Sequence, residues 1–194
     1  MINRNSIFIY LFFYLFFLCG FYLNEDFAGG ALLDYTHHLE RMDIMQKDIV
    51  GKFLNYNEVG TPHSPIYMLY FIFLNNIFGG EGAKLINMHL ILLIPLFIYL
   101  SLNLKFNLKK DNSLILLPSI VFISPYFRAG AFSIDDNILG TFLLTVSIYF
   151  FFRYEKSNEL KFIFFNTLFL SLAAYIRPIY CFFGIYFFIF YYFK

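Results

Sequence analysis

Apolar residues fall in long runs along this chain, at 7–23, 65–78, 83–104, 114–127, 138–152, 162–176 and 179–193. Most approach the roughly 17–25 residues of one bilayer-spanning helix. In lipid, every backbone N–H and C=O needs a partner within its own segment, so such runs predict helices. The run 65–78 is shorter: at ~1.5 Å per residue it reaches about 20 Å, less than a bilayer core. It opens on Pro65 and carries Asn75-Asn76 near its end, which predicts an interfacial or re-entrant helix. One long polar stretch, 24–64, interrupts the pattern. Its Leu32, Leu33, Leu39, Met42, Ile44, Met45, Ile49 and Phe53 recur at mixed three- and four-residue intervals. That spacing predicts one or two amphipathic helices lying on a membrane surface. The fold class expected is therefore all-α. It is a polytopic transmembrane bundle of about six spans with an interfacial helix and a long amphipathic first outer loop.

Charge orients this bundle. Lys105, Lys109 and Lys110 form one basic cluster, and Arg153, Lys156 and Lys161 another, with Arg4 and Lys194 at the ends. The positive-inside rule places all of them on the cytoplasmic side. The loops 24–64 and 128–137 and the Arg177-Pro178 break then share the outer face, provided that 65–78 does not cross. Glu25, Asp26, Asp34, Asp135 and Asp136 are all expected there.

Composition agrees: 60% of residues are hydrophobic and only 14% charged, with 30 Phe and 16 Tyr. Soluble domains lie nearer ~45–50% and ~25%. The expected location is a multi-pass integral membrane protein, in a bacterial inner or plasma membrane, with its site facing outside. The segment 1–23 reads as an uncleaved first helix, because Asn24-Glu25-Asp26 follows it rather than a small-residue cleavage site. Cys19 and Cys181 sit inside apolar runs and read as small packing residues. There is no Gly-rich phosphate loop, no serine-hydrolase elbow and no basic patch for nucleic acid.

Four places could carry chemistry. Glu25-Asp26 directly follows the first helix, where a carboxylate pair could act as general base on an acceptor or simply mark the helix end. Asp135-Asp136 precedes the run from 138; one acid can cap that helix while the other works. Thr61-Pro62-His63-Ser64-Pro65 stiffens the re-entry to the membrane and presents His63 for a phosphate or a proton. Arg177, at a helix break, could hold a lipid phosphate or snorkel to the surface. Asp34 joins the outer acids. His37-His38 with Glu40 and Asp43 is a weak metal pattern; no cofactor is otherwise indicated, and a divalent cation is the one candidate.

The order of these features resembles the N-terminal half of GT-C-type membrane glycosyltransferases, such as protein O-mannosyltransferases and aminoarabinose transferases. The residues that carry it are Asn24-Glu25-Asp26, Pro62-His63-Ser64-Pro65-Ile66-Tyr67, Ser124-Pro125-Tyr126, Asp135-Asp136 and Ala173-Ala174-Tyr175-Ile176-Arg177-Pro178. The resemblance implies transfer of a sugar from a polyprenyl-phosphate donor to a lipid, glycan or protein acceptor outside the cytoplasm. It makes Asp26, or Glu25 beside it, the catalytic carboxylate. It places Asp135, Asp136, His63, Arg177 and Asp34 around the substrates. His63 is followed by Ser-Pro where the family has Pro-Pro, and family members are longer. Residues 1–194 are thus expected to be one membrane domain, a module truncated relative to the family. The alternative is a non-enzymatic scaffold or transporter component.

Overall fold

The computed structural model describes residues 4–23, 31–106 and 116–193, and these form helices and connecting turns with no strand among them. In order they are α1 (Arg4–Tyr22), α2 (Ala31–Gln46), α3 (Ile49–Leu54), α4 (Pro65–Ile91) and α5 (Leu93–Phe106). Then come α6 (Leu116–Ser119), α7 (Pro125–Phe132), α8 (Asp136–Ser157), α9 (Leu160–Ile176) and α10 (Cys181–Phe193). Among the described residues two stretches are long and apolar enough to cross a membrane, Pro65–Phe106 and Asp136–Ser157. Ile7–Tyr22, Leu160–Ile176 and Pro178–Phe193 are shorter apolar helices.

The first stretch is a hairpin rather than a rod. Gly79 adopts φ 69° and ψ 172° in the middle of α4. That region is essentially closed to residues with a side chain. Across the break, the Tyr70 hydroxyl donates to Asn87 Oδ1 at 2.8 Å. Along a straight helix these two residues would stand about 25 Å apart. The limb 65–78 therefore folds back on the limb that continues into α5. The expected gap between the apolar runs 65–78 and 83–104 is thus a sharp reversal, and helical geometry continues on both sides of it.

The polar stretch supplies the helices its spacing predicts. Tyr35, His38 and Met45 of α2 are buried, with Leu39 and Met42 partly so. Tyr35 packs edge-on against Phe71, and Lys84 of the return limb lies 4.7 Å from the Tyr35 ring. Leu33, Val50 and Leu54 face outward instead.

The remaining helices align along α8. Phe97 and Lys105 of α5 meet Tyr149 (5.5 Å between rings) and Glu155 (3.1 Å), so α5 and α8 run in the same direction. α9 returns antiparallel, and the Phe150 ring stacks on Phe165 and Phe169. Asn166 Nδ2 donates to the Ser147 carbonyl, Ser147 Oγ donates to the Asn166 carbonyl, and the Tyr191 hydroxyl donates to Asn166 Oδ1, each at 2.9 Å. This polar clamp fixes α8, α9 and α10 in register. α1 packs Phe17 against Phe122 and Phe132, both at 5.3 Å. Large apolar side chains still point away from the packed interior, among them Phe12, Phe164, Phe182 and Phe188.

Two expectations are corrected. The run 114–127 is not one helix: four residues of α6 pass into a 3-10 turn at Ile120–Ile123, and α7 begins afresh at Pro125. Pro125 cannot donate a backbone hydrogen bond, and Ser124 Oγ accepts from the Phe127 amide to start the new helix. The stretch 128–137, expected as an outer-side loop, is mostly helical, and its Arg128 is buried over the Phe16 ring.

Candidate functional site

At one end of the bundle, three distant segments converge on Asp136. The chain enters α8 through Ile134, which holds φ 57°, an uncommon conformation for a β-branched residue. The buried Tyr67 hydroxyl donates to the Ile134 carbonyl at 2.6 Å, and the Asp135 amide donates to the Gly130 carbonyl at 2.9 Å. These bonds hold the turn. Asp135 then caps α8, accepting from the Asn137 amide at 2.7 Å. Asp136, one residue on, is only 1% exposed and turns the other way.

Asp136 Oδ2 lies 2.7 Å from His63 Nδ1, and Oδ1 accepts from Arg177 Nη2 at 2.5 Å. Each partner is placed by a local sequence rule. Ser64 caps α4 by accepting from the Tyr67 amide at 3.2 Å, and Pro65 occupies the first helical turn, so His63 sits just before the helix start. Pro178 bars Arg177 from helical geometry; α9 ends there, with Arg177 at φ −133° and ψ 104°. Gly140 leaves room for this corner, because a Cβ there would come 2.8 Å from Tyr180 Cε2 and 3.6 Å from Arg177 Cγ. The Tyr180 and Thr141 hydroxyls share a hydrogen bond at 2.7 Å.

Behind His63 stands His38. It is 2% exposed, its ring meets those of His63 and Tyr67 edge-on at 4.5 and 5.1 Å, and its Nδ1 has no hydrogen-bond partner. Burial first, then the neighbouring His63, lowers the His38 pKa to about 4. Burial, then the adjacent Asp136 carboxylate, raises the Asp135 carboxyl above its ordinary range. A cleft of 200 Å³ opens over His38 and His63, walled by Asp34, His37, Arg41 and the Gly60-Thr61-Pro62 turn. Gly60 bends that turn at φ 65°, with Arg41 beside it reaching the Val59 carbonyl at 3.4 Å.

Of the residues expected from sequence, Asp135, Asp136, His63 and Arg177 are brought together, and Asp34 lies on the rim of the adjoining cleft. Glu25 and Asp26 lie outside the described residues. α1, which precedes them, ends with Phe21 against Phe132 at 5.6 Å, so the chain leaves α1 at this same end. His37 pairs with Glu40 at 3.6 Å on the exposed side while His38 is buried. Among the described residues no group of three or more His, Cys, Asp or Glu side chains is arranged to hold a metal.

No protein-family model, curated protein or solved structure matches this chain.

The site thus rests on geometry. Asp136 has one oxygen on His63 and the other on Arg177, which leaves it poorly suited to take a proton from an acceptor. It orients instead. With Nδ1–H donating to Asp136, His63 keeps Nε2 for a second partner. Arg177 has a buried Nε without a hydrogen-bond partner. The arrangement offers the Arg177 guanidinium, and His63 Nε2 when it carries a proton, to an anionic group at the mouth of a small polar cleft. Sequence reasoning missed Arg41, named His38 only within the weak metal pattern, and named Tyr67 only as a letter of the Pro62–Tyr67 motif. For His38 the signal was present: 35, 38, 42 and 45 follow helical spacing, which puts it on the buried stripe with Tyr35, Met42 and Met45.

Proposed function

We propose that this chain is a membrane glycosyltransferase, or the N-terminal module of one, which uses a polyprenyl-phosphate-linked sugar on the extracytoplasmic face. The observation that carries this reading is the Asp136 carboxylate clamped between His63 and Arg177 beside the Asp34 cleft. An ion cluster at the end of an apolar bundle suits a donor whose tail lies in lipid and whose phosphate lies at the interface.

In this reading the anomeric C–O bond to the lipid phosphate breaks as an acceptor oxygen or nitrogen attacks the anomeric carbon. Asp26, or Glu25 beside it, takes the acceptor proton. The departing lipid phosphate gathers charge against His63 Nε2 and Arg177, whose positions Asp136 fixes. Asp34 and Arg41 contact sugar or acceptor hydroxyls across the cleft. The protein is multi-pass, in a bacterial plasma membrane. α1, the limb 80–106, α8, α9 and α10 cross, the broken path 116–132 returns the chain outward, and 65–78 stays on the outer side. The basic residues Lys105, Arg153 and Lys156 at the far end of α8 support that orientation.

The test is sugar transfer in membranes carrying the full chain, with a panel of radiolabelled polyprenyl-phosphate sugars. Transfer by the wild type, with loss in Asp26→Asn and His63→Ala at unchanged protein level, is expected. Equal transfer by all three proteins, or none by any, sinks the reading and leaves the scaffold or transporter alternative.

A further inference from the structure

The opposite end of α8 carries a second, unrelated arrangement. About 30 Å from Asp136, at ~1.5 Å per residue along the helix, Lys105, Glu155 and Lys156 wall an open polar cleft of 250 Å³ together with Leu104 and Phe152. Lys105 pairs with Glu155 at 3.1 Å and lies 5.5 Å from the Phe152 ring, and both partners remain partly exposed. Two apolar grooves lead away from this cleft. One, of 140 Å³, runs between α5 and α8 past Ile98, Leu102 and Thr145. The other, of 470 Å³, runs between α8 and α10 past Phe182, Tyr186 and Phe187. Ile148 and Phe152 line both grooves, so the two diverge on either side of one ridge of α8.

We propose that this fork binds one anionic glycerophospholipid, with the phosphodiester at Lys105 and Lys156 and one acyl chain in each groove. Among the described residues the cleft sets two ammonium groups against one carboxylate, which leaves one positive charge for a singly charged phosphodiester. The branch at Phe152 matches a two-chained lipid; a single-chained polyprenyl phosphate would fill one groove and leave the other bare. Arg153 adds positive charge to the same end, 4.9 Å from the Phe162 ring, whereas Lys161 beside that ring is paired with Glu159 at 2.5 Å. The inference rests on membrane placement and not on the transferase reading.

The test is native mass spectrometry of the full chain in detergent, titrated with phosphatidylglycerol, phosphatidylcholine or glycerol phosphate. One phosphatidylglycerol is expected to be retained in preference to phosphatidylcholine, without competition from glycerol phosphate. Lys105→Ala/Lys156→Ala, at exposed or partly exposed positions, should weaken it about 30-fold, the weight of two basic residues at an anionic surface. Ile148→Trp, which fills the fork and leaves both lysines in place, should also weaken it, with thermal melting followed as the folding control. Equal binding of the two lipids, competition by glycerol phosphate, or unchanged affinity in the lysine variant overturns the proposal.

Discussion

His63 Nδ1 and Asp136 Oδ2 stand 2.7 Å apart, although 73 residues separate them in the chain. Asp136 is buried there and Asp135 is its neighbour in sequence, yet the two acids do different work. Asp136→Asn removes the charge that both His63 and Arg177 face. It should lower stability by about 2 kcal/mol, less than for a fully buried pair because Arg177 is partly exposed. Asp135→Asn keeps a good helix cap and should cost only a few tenths of a kcal/mol. Thermal melting of the two variants in one detergent separates them, and equal losses would refute this division.

His38 gives the fold a dependence on pH. Its folded-state pKa, about 4, lies below the ordinary histidine value of 6.5. Between those values the unfolded chain binds the proton more readily, so stability rises with pH across this window. The contribution is complete above pH ~6.5 and lost by about pH 4, and amounts to roughly 3 kcal/mol. His38→Phe, placed among Tyr67 and Phe71, should flatten the melting profile between those limits. An unchanged slope would assign the titration to another group.

Gly79 tests the hairpin. A Cβ built there meets nothing within 4 Å, so any cost of Gly79→Ala comes from the backbone and not from a clash. At φ 69° and ψ 172° that cost is about 1–3 kcal/mol. Gly60→Ala, also at positive φ but in the ordinary left-handed region, should cost less. The measurement is chemical or thermal unfolding of the two variants.

Side-specific labelling tests the placement of the two ends. In a Cys19→Ser/Cys181→Ser background, single cysteines replace Asn57, Tyr126 and Ser157, all exposed positions. A membrane-impermeant thiol reagent applied outside intact cells should label 57 and 126 but not 157. Labelling of 157 together with 57 would put both ends of α8 on one side and refute the proposed crossing.

Much of this site was legible in the sequence because it is built from short-range rules. Ser64-Pro65 starts a helix, Arg177-Pro178 ends one, and Asp135 caps a third, so the side chains at those boundaries are displayed at predictable places. What was not legible depends on long-range packing. Apolarity alone made 114–127 look like a span, whereas Ser124-Pro125 divides it. Arg128 opened the stretch expected as an outer loop, whereas it is helical and the Phe16 ring from α1 covers it. His38 was grouped with His37 by adjacency, although adjacent residues on a helix point about 100° apart.

That same angular step gives the contact at the head of α8 a wider consequence. Moving α8 by one residue would swing Asp136 about 100° around the helix axis and carry it off both His63 and Arg177. The polar end therefore works as a rotational key that joins the Ser147–Asn166–Tyr191 clamp in setting a helix whose flanks are otherwise aromatic on several sides. With these polar contacts in place, the purely apolar flanks are released from specifying register: away from Tyr180 and Tyr191, whose hydroxyls are bonded, apolar residues can interchange along α8 to α10 at little cost, provided that volume is kept. Selection on this chain would then read as a few fixed polar letters in a drifting apolar text.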